Sequence, residues 1–193
     1  MKFKNMFSPI QIGPMTVKNR FVVPPMGNNF ANSDGTWSDE SVAYYGERAK
    51  GQFGLITIEA TVVHKGAKGG PKKPCLYDDN SIESLKKITD ACHAEGAKIS
   101  IQLQNAGPEG NAKNAGAPIQ AATAIASADG RDIPEEVSTE KVYELVKGYG
   151  EAAERAMKTI PDRPVLAAIH QLDDGSWDFE GHEMKTVRNE ETG

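Results

Sequence analysis

Cysteine is nearly absent: of 193 residues, only Cys75 and Cys92 carry a thiol. The pair has no metal-ligand spacing. Cys92 falls on a helical apolar stripe, where a thiol serves as a small buried hydrophobe. Long apolar runs are missing too. Nothing approaches the roughly 18 apolar residues of a membrane span, and the N-terminus lacks a signal peptide's apolar core. A basic excess is also lacking, since 22 Lys and Arg face 27 Asp and Glu for a net charge of −5. That balance argues against nonspecific nucleic-acid binding, which needs a basic face. These absences predict a cytoplasmic chain with neither nucleic acid nor membrane as partner.

What is present suits an ordinary globular core. Hydrophobic residues make up 38% of the chain and glycine contributes 19 residues, enough for one domain. The organising stretch is Asn19-Arg20-Phe21-Val22-Val23-Pro24-Pro25-Met26-Gly27-Asn28-Asn29. Phe21 to Val23 is a short apolar run suited to a buried strand. Pro24 and Pro25 end it, because each lacks an N–H and Pro25 keeps Pro24 extended. Gly27 is free to take positive φ, and Asn28 and Asn29 can bond back to the local backbone. The result is a stiff strand tip opening into a polar loop, a common ligand position in α/β proteins.

The rest of the chain alternates. Phe7 to Val17 predicts a hairpin around Gly13-Pro14. Ser38 predicts a helix cap, with Asp39 and Glu40 at the helix's positive end, the helix reaching about Lys50 and Gly51 closing it. Phe53 to Ala60 predicts a second strand, and Val62 to Pro74 a solvated Gly- and Lys-rich loop without phosphate-loop spacing. Asn80 or Ser81 opens a helix with Ile82, Leu85, Ile88 and Cys92 on one face, ending at Gly96. Lys98 to Leu103 predicts strand three. Pro108 to Val137 has no clear period, although Ala121 to Ala128 suits a short strand or packed coil. A third helix follows from Ser138 with Val142, Leu145, Val146, Tyr149, Ala152, Ala153 and Ala156 on its apolar face. The fold class is therefore α/β: about three parallel βα units after an N-terminal hairpin. A full eight-unit barrel takes roughly 250 residues, so this is an incomplete (β/α) barrel. Val165 to Leu172 and Trp177 to Phe179 around Asp173-Asp174-Gly175-Ser176 predict a C-terminal β-hairpin. The expected division is 1–158 for the barrel part and 159–193 for a divergent tail with a frayed end.

Three pieces, FSPIQIGPMTVKNRFVVPPMGNN, GLITIEATVV and KISIQLQNAG, occur in order, and over residues 5 to 158 the chain resembles the old yellow enzyme family. These are the FMN-dependent ene-reductases and NADH:flavin oxidoreductases, here closest to the 2-enoate and 2,4-dienoyl-CoA reductase branch. The resemblance implies that Pro24, Pro25, Met26 and Gly27 pack on the flavin, that the small Ala60 lies near it, and that Gln102 bonds its pyrimidine edge. A glutamine offers an acceptor and donors, as an imide edge requires. The implied reaction moves hydride from NAD(P)H through FMN to the β-carbon of a small α,β-unsaturated substrate.

The departures are as specific. Asn105 stands where many relatives have His, and Gly27 where some have a redox-tuning Cys or Thr. Beyond Lys158 the family's substrate-holding His pair is not matched: His170 arrives late and Asp173 takes the second position. The strand-seven and strand-eight site for the FMN phosphate has no counterpart in these residues. Two readings follow: a flavin-dependent oxidoreductase, or a truncated or rearranged, catalytically inactive barrel fragment, whose exposed strand edges would drive aggregation or homo-oligomerisation as a module.

Overall fold

The computed structural model describes residues 3–127 and 132–162, and the backbone of two short strands at 168–171 and 177–180. The chain opens on an antiparallel hairpin, β1 (Ile10–Ile12) and β2 (Met15–Val17), with Ile10 opposite Val17 and Gly13 at φ 53° in the turn. Met15 and Val17 are buried. The hairpin lies so near the next strand that a Cβ on Gly54 would stand 2.7 Å from Val17 Cγ1 and 2.8 Å from the Asn19 carbonyl oxygen. Only glycine tolerates that approach.

β3 (Val22–Val23), β4 (Leu55–Val62) and β5 (Lys98–Gln104) form a parallel sheet in that order. Val23 aligns with Ile56, and Ile56 with Ile99. These three, with Ile58 and Ile101, form the buried face of the sheet. Against it pack α1 (Asp39–Lys50), α2 (Ile82–Ala94) and, after the short α3 (Ala112–Ala115), the long α4 (Thr139–Met157). They contribute Tyr45 and Ala49, then Leu85, Ile88 and Cys92, then Ala152, Ala153 and Ala156 to one core, which Ile160 closes. Alternation along the strands sends the other residues to the opposite face. There Thr57 and Ser100 share a 2.8 Å hydrogen bond, Val22 is 47% exposed and Gln102 is exposed. Helices on one face and an open, concave-side face on the other make an arc of a (β/α) barrel.

Helix signals behaved as their chemistry requires. Ser38 accepts from the Ser41 N–H at 3.2 Å and Ser138 from the Lys141 N–H at 3.2 Å, each satisfying an N-terminal donor. Gly96 turns at φ 68° after α2. Elsewhere the structure departs from expectation. β4 starts and ends two residues late, because the Gly54 and Leu55 N–H groups both turn back to the Phe21 carbonyl. Ser81 precedes α2 without capping it, its hydroxyl donating instead to the Gly35 carbonyl at 3.2 Å. The Val62 to Pro74 loop is packed rather than solvated: Val63, Gly66, Ala67, Lys68 and Pro74 are buried, and Lys68 Nζ donates to the Ser33 carbonyl at 2.9 Å. The early part of α4's apolar face is also less covered than its pattern suggests, with Val142 42% exposed.

The long segment before α4 contributes a two-stranded parallel pair, β6 (Gln120–Ala121) and β7 (Glu135–Glu136). Past α4, Asp162 returns to the sheet. Its carboxylate accepts from Lys98 Nζ at 2.7 Å and the Ile99 N–H at 3.1 Å, and pairs with His93 Nε2. Finally β8 (Ala168–Gln171) and β9 (Trp177–Glu180) pair antiparallel, Ala168 opposite Glu180. This is the expected C-terminal hairpin. Its Asp173–Ser176 turn lies outside the described residues, as do the Asp173 position and the expected frayed end. The hairpin pairs within itself, so among the described strands β5 has β4 as its single neighbour.

Candidate functional site

All six residues expected to face a flavin lie at the carboxyl ends of the three parallel strands. Pro24 follows β3 directly and is exposed, Pro25 is half-buried, Met26 is 56% exposed and Gly27 is exposed. Gln102 lies on the open face of β5, two residues beyond Ser100. Its amide bonds no other described residue. Between them, β4 is irregular: Ile58 aligns with Ile101, but the next pairs are Thr61 with Leu103 and Val62 with Gln104. One extra residue on β4 therefore sits opposite Gln102, and the bulge comprises Glu59 and Ala60. A bulge re-aims side chains locally and is frequent beside sites. Ala60, half-buried, presents only a methyl there.

The strand tip is organised differently from expectation. Asn28 Oδ1 does bond locally, accepting from the Phe30 N–H at 2.8 Å. The left-handed residue, however, is Asn29 at φ 58°, and Gly27 does not take positive φ. The space beside Gly27 is taken by the flexible end of a lysine. A Cβ there would lie 2.9 Å from Lys73 Nζ and 3.9 Å from Glu59 Oε2.

Glu59 is the group sequence reasoning missed. It is fully buried. Its Oε2 accepts from the Asn28 N–H at 3.2 Å and lies 3.9 Å from Lys73 Nζ, whereas Oε1 has no partner among the described residues. Burial pushes this carboxyl above its ordinary value of 4.5, with the Asn28 N–H and Lys73 opposing the shift. The Glu59 N–H donates to the buried Tyr45 hydroxyl at 3.0 Å. Burial likewise raises the Tyr45 phenol far above 10.0. α1, β4, the tip after β3 and the loop after β4 thus meet at one buried carboxyl. The available signal was a lone ionisable residue inside the apolar run LITIEATV.

Other ionisable groups lie apart. An open depression of about 340 Å³ between Val63–Lys65, Tyr77 and α4 contains His64, Glu144 and Lys147. Burial lowers the His64 imidazole below 6.5 and raises Tyr77 to about 12. Cys92, deep in the core, is raised to about 12 by burial, which suits an inert thiol. None of the expected flavin residues lines that depression.

The profile of the NADH:flavin oxidoreductase / NADH oxidase family matches residues 5–163. The chain belongs to this family. A cinnamate reductase of Clostridium sporogenes is 35% identical over 179 residues, which are 88% of this chain and 27% of that protein. An NADPH dehydrogenase of Bacillus subtilis is 35% identical over 168 residues, 86% of this chain and 49% of the relative. The chain therefore spans half or less of the length of these relatives. Among solved structures, an old yellow enzyme from Pichia sp. superposes with a TM-score of 0.73 at 30% identity, over 81% of this chain and 43% of the other. A 2-naphthoyl-CoA reductase gives 0.77 at 29% identity, over 81% and 26%. The fold accordingly is a partial barrel of the old yellow enzyme type, as the family motifs imply.

Proposed function

We propose that this chain carries the ring-facing part of an FMN-dependent oxidoreductase of the ene-reductase type. Pro24, Pro25, Met26 and Gly27 would wall one side of the isoalloxazine, Ala60 would let it approach β4, and Gln102 would hold its pyrimidine edge. The observation that carries this reading is the Gln102 amide. It is exposed and unpaired among the described residues, at the same carboxyl end of the parallel sheet as exposed Pro24 and Met26, with β4 between them. Apolar walls with a few polar groups are what a flat cofactor needs. When bound, FMN would take a hydride from NAD(P)H and deliver it to the β-carbon of an activated alkene. The chain's own part is to orient the ring through Gln102, shield it through Met26 and the prolines, and hold the tip through the bond from the Asn28 N–H to Glu59. Residues 1–158, continued by the Asp162 tie, would serve as this ring-binding arc, and the hairpin beyond as an appendage, in a cytoplasmic protein.

The test is reconstitution. The chain is incubated with FMN, freed of excess, and assayed for NADH and NADPH oxidation with cinnamate as a small α,β-unsaturated acid. Cinnamate-dependent oxidation lost in Gln102→Ala supports the reading. Bound flavin without any turnover would restrict it to cofactor binding.

One observation favours the second reading, an inactive module that self-associates. β5 has a single strand neighbour among the described residues, and Val22 on the open face and Met26 in the tip are 47% and 56% exposed. Such an edge and face invite pairing with a second copy.

A further inference from the structure

We propose that Lys73 is the redox-tuning residue of this site, its ammonium taking the place that a side chain at position 27 would fill. The inference rests on the ring-binding reading above and deepens it.

The geometry carries the proposal. A Cβ on Gly27 would meet Lys73 Nζ at 2.9 Å, so the glycine makes room for the ammonium. Lys73 comes from the loop after β4, and its side chain is only 25% exposed. It is steered there by Glu59, whose Oε2 lies 3.9 Å away in a fully buried side chain. Glu59 is itself fixed from the other side, since Oε2 also accepts from the Asn28 N–H at 3.2 Å. Its second oxygen has no partner among the described residues, so the Asn28 N–H and Lys73, both at Oε2, are the groups that face this carboxyl there. A ring packed against Gly27 on the side of its missing side chain would have this ammonium as a neighbour. Uptake of two electrons and one proton by oxidised FMN gives an anionic ring carrying one more negative charge. A cation alongside favours that reduced state over the oxidised one. Burial holds the Glu59 carboxyl above its ordinary value, which limits how far it cancels Lys73.

Three substitutions test this, each read as the midpoint potential of bound FMN during dithionite titration against a reference dye. Lys73→Met removes the cation. It is expected to weaken binding of the reduced relative to the oxidised flavin about tenfold, a fall of about 30 mV for the two-electron couple. Gly27→Ala keeps the lysine but pushes aside the flexible end of its side chain, and is expected to lower the potential in the same direction by less. Glu59→Gln removes the countercharge at nearly constant shape and is expected to raise the potential. Circular dichroism reports whether each variant is folded, and the three are independent enough that one unfolded variant leaves the others decisive. Wild-type chain that binds FMN, with Lys73→Met at the wild-type potential or, if that variant is unfolded, with Gly27→Ala and Glu59→Gln both at it, overturns the role of Lys73. A wild-type chain that binds no FMN overturns the ring-binding reading, and the tuning role falls with it.

Discussion

At the residue scale the site depends on a carboxyl that water does not reach. Tyr45 supplies the acceptor for the Glu59 N–H, and removing it strands a buried donor. Tyr45→Phe is expected to cost about 1–3 kcal/mol, read as the shift in the urea unfolding midpoint at constant slope. Glu59 also sets a pH dependence. Its folded pKa is raised above the unfolded value of 4.5, so the unfolded chain releases its proton first. Stability is then expected to fall as pH climbs from about 4.5 through the folded value. Glu59→Gln should flatten that slope, and a wild-type slope retained in the variant would remove Glu59 from the account. These partners were illegible in sequence. Tyr45, Glu59 and Lys73 are scattered along the chain and meet only because α1 and two loops converge on the β4 bulge. By contrast the places of the PPMG tip and of Gln102 near strand ends were legible, because they sit in short contiguous motifs, while the flavin role given to them came from the family resemblance alone.

At the scale of elements, the link between α4 and β5 is electrostatic as well as apolar. Burial raises the Asp162 carboxyl, but hydrogen bonds from Lys98, His93 and the Ile99 N–H outweigh it and hold the group below 3.8. Its folded pKa is depressed, so the stabilisation is present above 3.8 and disappears as pH falls through the folded value. Asp162→Ala is expected to cost about 2 kcal/mol at neutral pH, with the gap from wild type narrowing in acid, measured by urea unfolding at several pH values. Gly54→Ala is expected to be worse tolerated than substitutions on the helices' exposed faces. The new methyl would press on Val17 and on the Asn19 backbone, and thermal melting should show a loss of several degrees. Helix positions and the hairpins were readable from caps, periodicity and turn residues. Strand ends were not: where β4 begins is decided by which carbonyl receives the Gly54 and Leu55 N–H groups, a tertiary matter. The packing of the Gly-rich 62–74 loop was hidden for the same reason, since polar composition does not reveal that Lys68 finds the Ser33 carbonyl.

For the whole molecule, one face of the sheet is covered by helices and the other is open. The incomplete barrel was foreseeable from counting units against length, and the family match over residues 5–163 agrees with the motifs that suggested it. The open face has a consequence for association. Val22→Lys, placing a charge on the 47% exposed side of β3, is expected to shift the chain toward monomer in sedimentation velocity if the face self-associates. The central claim, however, is that this face holds a flavin by its ring, through the tip of residues 24–27, Ala60 and Gln102. The most direct measurement is a fluorescence titration of the full chain with FMN and, separately, with riboflavin, repeated on Gln102→Ala. The account predicts quenching of both flavins with dissociation constants within about threefold of each other, and binding at least about tenfold weaker in the variant, corresponding to about 1.4 kcal/mol. No quenching of either flavin by folded protein, or equal binding by Gln102→Ala, would contradict it.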